Sequence, residues 1–328
     1  MKYIKLIFFV FVFTAPIKGI SQYTDVINSN RPGLSVSAYA VGKNVLQAEF
    51  GASYENKKHS ILERDSKLIG ADLSIRYGLL FEELEIVWDG TFLNENISFT
   101  DINLSDEKIT DFYRNRLGLK YLVYDPYKSE ERNKPNIHSW RANHKFQWRN
   151  LVPAISVYVG ANFVLGDNPF FVNEATVSPR AMIATQSRIS PRVVLISNIA
   201  YDRIGTDFPE WSYLISLSHA FKNPKWSFFV ENQGIKSDRY SDNLLRGGIA
   251  HLLSKKFQVD VNVGANFKNS PSKVFGAAGL SYRLDMHKDV PKPISSQKSN
   301  QKIKKNSNKV GKKKTKKKTK KGPGEIEF

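Results

Sequence analysis

Between Asn44 and Leu284 apolar and polar residues alternate one by one. Phe257, Val259, Val261, Val263, Ala265 and Phe267 are separated by Gln258, Asp260, Asn262, Gly264 and Asn266. Ile69, Ala71, Leu73, Ile75 and Tyr77 are separated by Gly70, Asp72, Ser74 and Arg76. A period of two places the apolar set on one face of a β-strand and the polar set on the other. Twelve such segments are expected, near 44–55, 68–78, 82–93, 112–124, 151–165, 177–188, 192–203, 211–221, 225–235, 243–253, 256–267 and 274–284. Each has about the length of a tilted strand that crosses a bilayer.

The connections alternate in length. Tight turns are expected at 79–81, 189–191, 222–224 and 254–255, and longer polar loops at 56–67, 94–111, 166–176, 204–210, 236–242 and 268–273. An even strand number with short and long connections on opposite sides is the pattern of an outer-membrane barrel, short turns facing the periplasm. The connection 125–150 breaks the rule, and its spacing of charged and aromatic residues predicts a short amphipathic helix. Tyr and Trp gather near strand ends (Tyr54, Trp88, Tyr121, Trp211, Trp226, Tyr282), at the level of an interfacial girdle.

A soluble β-sandwich would also alternate, but its polar face would be an outer surface. Here that face carries Glu49, Asp72, Arg76, Glu85, Asp89, Arg180, Arg188, Arg192, Glu231, Arg246 and Asp260, charges of both signs that suit a wet lumen. The fold expected is all-β, a transmembrane antiparallel β-barrel of about 12 strands over 44–284. Its backbone groups find no water in the bilayer, so the sheet must close. These charges are the pore candidates. The rival for each is cross-strand pairing that only hydrates the interior.

Charge divides the remaining chain. The sequence has 328 residues, a net charge of +18 and no cysteine. Residues 285–328 hold fifteen Lys against four acids, and residues 1–21 hold three Lys and no acid, so the stretch between keeps only +4. Residues 1–21 read as a signal peptide: Lys2 and Lys5, the apolar run 6–13, then small Gly19 and Ser21. Residues 22–43 form a periplasmic or lumen segment. Within it Arg31, before Pro32 and Gly33, is the candidate plug residue and is expected to pair with a lumen acid such as Glu49 or Asp72. Residues 285–328 read as a disordered basic tail. Its Lys312, Lys313, Lys314, Lys316, Lys317, Lys318, Lys320 and Lys321 are candidate anion-binding residues. In the periplasm the anions would be peptidoglycan, lipid headgroups or an acidic protein; nucleic acid is not expected there. Gly279, Tyr282 and Leu284 suit the assembly signal of a last strand.

Asn30-Arg31-Pro32-Gly33 with Ser35, Tyr39, Gly42-Lys43 and Gln47-Ala48-Glu49 resembles the N-terminal signature of a family of Gram-negative outer-membrane barrels. The family is labelled transporter-like, or "putative MetA-pathway of phenol degradation". Gly118-Leu119-Lys120-Tyr121, His144-Lys145-Phe146-Gln147-Trp148 and Leu151-Val152-Pro153-Ala154 resemble it as well. The resemblance covers about 22–284 and implies a barrel that passes small molecules.

No enzyme is expected. The six histidines show no His-Glu-x-x-His spacing. His219 and His251 lie on apolar faces near strand ends and read as interfacial. No cofactor and no metal is expected. The function expected is a channel or transporter for small solutes in the outer membrane. The alternative is a plugged accessory barrel of an envelope complex, anchored by its basic tail.

Overall fold

The computed structural model describes residues 26–101, 104–128, 134, 137–139, 141 and 147–286. The expected signal peptide and Lys-rich tail lie outside these residues. Twelve strands run in chain order: β1 (Val45–His59), β2 (Arg64–Gly78), β3 (Leu84–Phe99), β4 (Glu107–Tyr124), β5 (Ala154–Phe163), β6 (Val177–Ser190), β7 (Val193–Asp202), β8 (Glu210–Ala220), β9 (Trp226–Ser237), β10 (Ser241–Ser254), β11 (Phe257–Asn266) and β12 (Ser272–Asp285). Each pairs antiparallel with its chain neighbours, and β12 returns to β1 to close the barrel. The closing seam runs from Val45↔Asp285 to Lys58↔Ser272.

Burial is inverted relative to a water-soluble domain. The exposed face carries Ile69, Leu73, Ile183, Ile199, Leu217, Val230, Ile249, Val261 and Val263. The buried face carries Gln47, Glu49, Arg76, Glu85, Lys120, Glu231, Asp260 and Arg283. An apolar outer band over a polar interior is the arrangement a lipid environment demands. Val261→Arg would put a charge in the middle of that band at a cost of about 2–4 kcal/mol. The variant should give a smaller heat-modifiable fraction on gels than wild type. Equal fractions would show that Val261 does not face lipid.

The first four strands are longer than expected. The loop predicted at 56–67 shrinks to the turn 60–63, and the one predicted at 94–111 to residues 100–106. Their outward face is polar throughout, while the inner face keeps Ile97, Phe99 and Ile109. Lys57 meets Glu95 at 2.6 Å and Asn94 donates to Thr110 at 2.6 Å. A ribbon projecting beyond the bilayer has no lipid face, so its pairing leaves no outward apolar alternation to read. Much of the helix predicted in 125–150 lies outside the described residues, which include a helical Arg141 and one turn of 3-10 helix, Trp148–Leu151.

Candidate functional site: the barrel interior

Residues 26–43 run inside the barrel and pair with no strand. Their backbone groups must still find partners, and wall side chains supply them. Carbonyls are taken by amides and cations. Arg283 Nη1 donates to Val26 O (3.0 Å), and Arg76 Nη1 to Asn28 O (2.9 Å). Asn262 Nδ2 donates to Pro32 O (2.7 Å), and Lys120 Nζ to Ser37 O (2.7 Å) and Tyr39 O (3.0 Å). N–H groups are taken by acids. Glu231 accepts from Leu34 N (3.1 Å) and Ser35 N (2.9 Å), and Glu85 accepts from Val41 N (2.8 Å). The single amide of Asn198 serves both groups of Val36, accepting at 2.7 Å and donating at 2.8 Å. Taken in order, these contacts visit β12, β2, β11, β9, β7, β4 and β3, so from Pro32 onward the segment follows the wall from β11 round to β3. Its two arms are tied by Asn28 Nδ2 to Ser37 Oγ (2.9 Å) and Ser37 N to Asn30 Oδ1 (3.1 Å).

Arg31 occupies a seat made by three strands. Its guanidinium lies 3.2 Å from Asp260 of β11. Gly279 of β12 stands opposite Asp260, and Gly51 of β1 stands opposite Gly279. A Cβ at either glycine would come within 2.2 Å of the Arg31 side chain. The partner is therefore Asp260, and the pairing expected with Glu49 or Asp72 is corrected. Glu49 accepts from Asn30 N instead (3.3 Å), and Asp72 accepts from Thr91 Oγ1 (2.7 Å). The two glycines remove the side chains that would otherwise fill the space next to Asp260.

Below this seat Arg76, Glu85 and Lys120 form a fully buried triad, with Arg76 3.0 Å and Lys120 2.7 Å from Glu85. Glu49 adds a contact to Arg76 at 3.7 Å. Each member also holds the segment, so wall pairing and segment binding are one network. Tyr39 lies near the end of the path. Its hydroxyl donates to Asp125 Oδ1 at 3.1 Å, and burial together with the Asp125 carboxylate holds its pKa well above the usual phenol range. Small apolar clusters complete the contact, Val36 against Val87, Tyr158, Met182 and Ala200, and Ala38 with Tyr39 against Leu122 and Ala154.

Toward the long-loop end, Asp202 accepts from Arg180 and Arg116, the latter at 2.7 Å, and from Asn162 at 2.9 Å. Arg246 meets Glu231 at 2.8 Å. Loop 164–176 then crosses the mouth. Asp111 accepts from Asp167 N and Asn168 N (2.9 and 3.0 Å). Phe170 and Phe171 pack on Tyr113 (5.7 and 5.1 Å), and Arg239 donates to Val172 O at 2.6 Å.

Two predicted pore residues lie elsewhere. Arg192 falls in the exposed turn between β6 and β7, because β6 ends in a register shift at Arg188/Ser190 and Pro191 follows. Arg188 lies at the barrel's edge, its guanidinium over the rings of Tyr39 (5.5 Å) and Tyr127 (4.9 Å). Asp89 is inward at the Arg116 register. Sequence reading missed Arg116, Arg283, Gln47 and Asn198 as interior residues. For Arg116 the signal was present, since Arg116, Gly118 and Lys120 alternate with Leu117, Leu119 and Tyr121.

A family model described as "Putative MetA-pathway of phenol degradation" matches residues 29–284. The chain belongs to this family. The match begins inside the lumen segment and includes residues 29–43 of it. No curated protein matches the chain by sequence. Among solved structures, an outer membrane channel from Pseudomonas putida F1 is similar over 79% of this chain and 100% of its own, with 10% identity and a TM-score of 0.51. The NanC porin follows over 72% and 100%, with 7% identity and a TM-score of 0.45. At such identities the likeness is one of fold. This family member is an outer-membrane β-barrel.

Proposed function

We propose that this family member is a channel for small solutes whose conducting state is set by residues 26–43. The observation that carries the reading is the match between wall and segment: acids face N–H groups, and amides and cations face carbonyls. This also gives the mixed charge of the lumen a purpose beyond cross-strand pairing. Glu49, Arg76, Glu85, Glu231 and Asp260 serve as the cradle. Asp72, Asp89, Arg180 and Arg246 line the space between the segment and the mouth. The tight turns face the periplasm in this reading, and the lysines of 312–321 meet envelope anions there, peptidoglycan or lipid.

Purified protein in planar bilayers tests the proposal. Brief ion-conducting steps, rare in wild type, support a channel with a seated segment. A permanently silent barrel that also stays silent when the segment is unlatched supports the accessory role instead. That second reading is favoured by one observation, the contact of the segment with most of the wall.

A further inference from the structure

We propose that the arc of tight turns between β6 and β11 is a binding site for anionic phospholipid of the adjoining leaflet. This goes beyond the channel reading and does not depend on it. Three successive turns carry Arg192, Lys222, Lys225, Lys255 and Lys256, all exposed, and no acid. The turn at 79–83 on the other side of the same rim carries Glu82 and Glu83. The backbone at Arg192, Lys225 and Lys256 is tied to the neighbouring strands. Ala220 N donates to Arg192 O (2.9 Å), Leu252 N to Lys225 O (2.8 Å) and Arg283 N to Lys256 O (2.9 Å). Successive hairpins stand about 10 Å apart, two strand spacings, so one phosphate fits between each pair of turns.

The outer wall directly beside these turns is aromatic. Trp226 packs on His251 at 4.1 Å, and His219 on Phe228 at 5.4 Å. Phe221, Trp226 and Phe228 are exposed on the lipid face. Rings of this kind rest at the headgroup level. The arc thus presents an apolar shelf for acyl chains and a cationic edge for the phosphate, in the order a phospholipid presents its own parts. Lysines near an anionic surface attract it even with salt present.

The test uses the full chain in phosphatidylethanolamine vesicles containing a minority of phosphatidylglycerol. Bromine on the acyl chains of one lipid or the other quenches nearby tryptophan. The Trp226 signal is taken as the difference between wild type and Trp226→Phe. Bromine on phosphatidylglycerol should quench about fivefold more, per mole of lipid, than bromine on phosphatidylethanolamine. In K222Q/K225Q/K255Q/K256Q the two should quench alike, whereas K312Q/K313Q/K314Q in the tail should leave the preference intact. Heat-modifiability on gels shows that each variant is folded. Should the quadruple variant fail to fold, K225Q and K255Q singly should each lose part of the preference. Equal quenching in wild type overturns the proposal. So does a preference that survives the turn substitutions, or one that disappears with the tail substitutions alone. Binding to peptidoglycan without any lipid preference overturns it as well.

Discussion

Arg31→Ala should raise the open probability of the barrel in planar bilayers. The substitution leaves Asp260 without its partner and empties the space over Gly51 and Gly279. A hydrogen bond to a charged group contributes about 1.5–3 kcal/mol. A loss of that size shifts a seated-to-unseated equilibrium by about 10–100-fold. Gly279→Leu should act in the same direction by a different route, since its side chain must displace the guanidinium. Single-channel recording of both variants checks the pair. Wild-type behaviour in both would show that Arg31 does not hold the segment.

Glu85→Ala should be the most destabilising single change in the wall. Glu85 is fully buried between Arg76 and Lys120 and also accepts the N–H of Val41. Its removal leaves two cations buried without their common anion. Breaking a buried pair in this way costs about 3–5 kcal/mol. The expected result is a clear fall in the temperature at which the folded band disappears from unboiled gels. Glu85→Gln keeps the shape and one acceptor and should fall between the two. A stability equal to wild type in Glu85→Ala would mean that the two cations find other partners. Glu231→Ala is expected to be milder in stability, because Arg246 retains Gln233 at 2.8 Å.

The strands were legible because lipid contact requires an apolar residue at every second position, and Phe257–Phe267 keeps that rule without exception. The extensions of β1 to β4 were not, because outside the bilayer Lys57, Asn94 and Thr110 satisfy the sheet as well as apolar residues would. The site was legible in kind and not in pairing. Period two put Glu49, Arg76 and Asp260 on the inner face, and Pro32-Gly33 marked a turn before the first strand. What no local pattern contains is the partner of Arg31. Asp260 is 229 residues away. It becomes the neighbour of Gly51 only through β12, once the sheet has closed, and two glycines on different strands then leave the space between them. Arg192 was misplaced for the opposite reason. Its spacing fits the alternation, but Pro191 ends the strand just before it.

The path of residues 26–43 also orders events in time. The segment precedes every strand in the chain, yet its contacts run from Arg76 on β2 to Arg283 on β12. They can be complete only after the first strand has met the last. Contacts that form after the rate-limiting step leave the speed of folding nearly unchanged and slow unfolding instead. The segment thus acts as a clasp fitted after assembly. It adds lifetime to a finished barrel and offers nothing to a chain whose strands have slipped out of register.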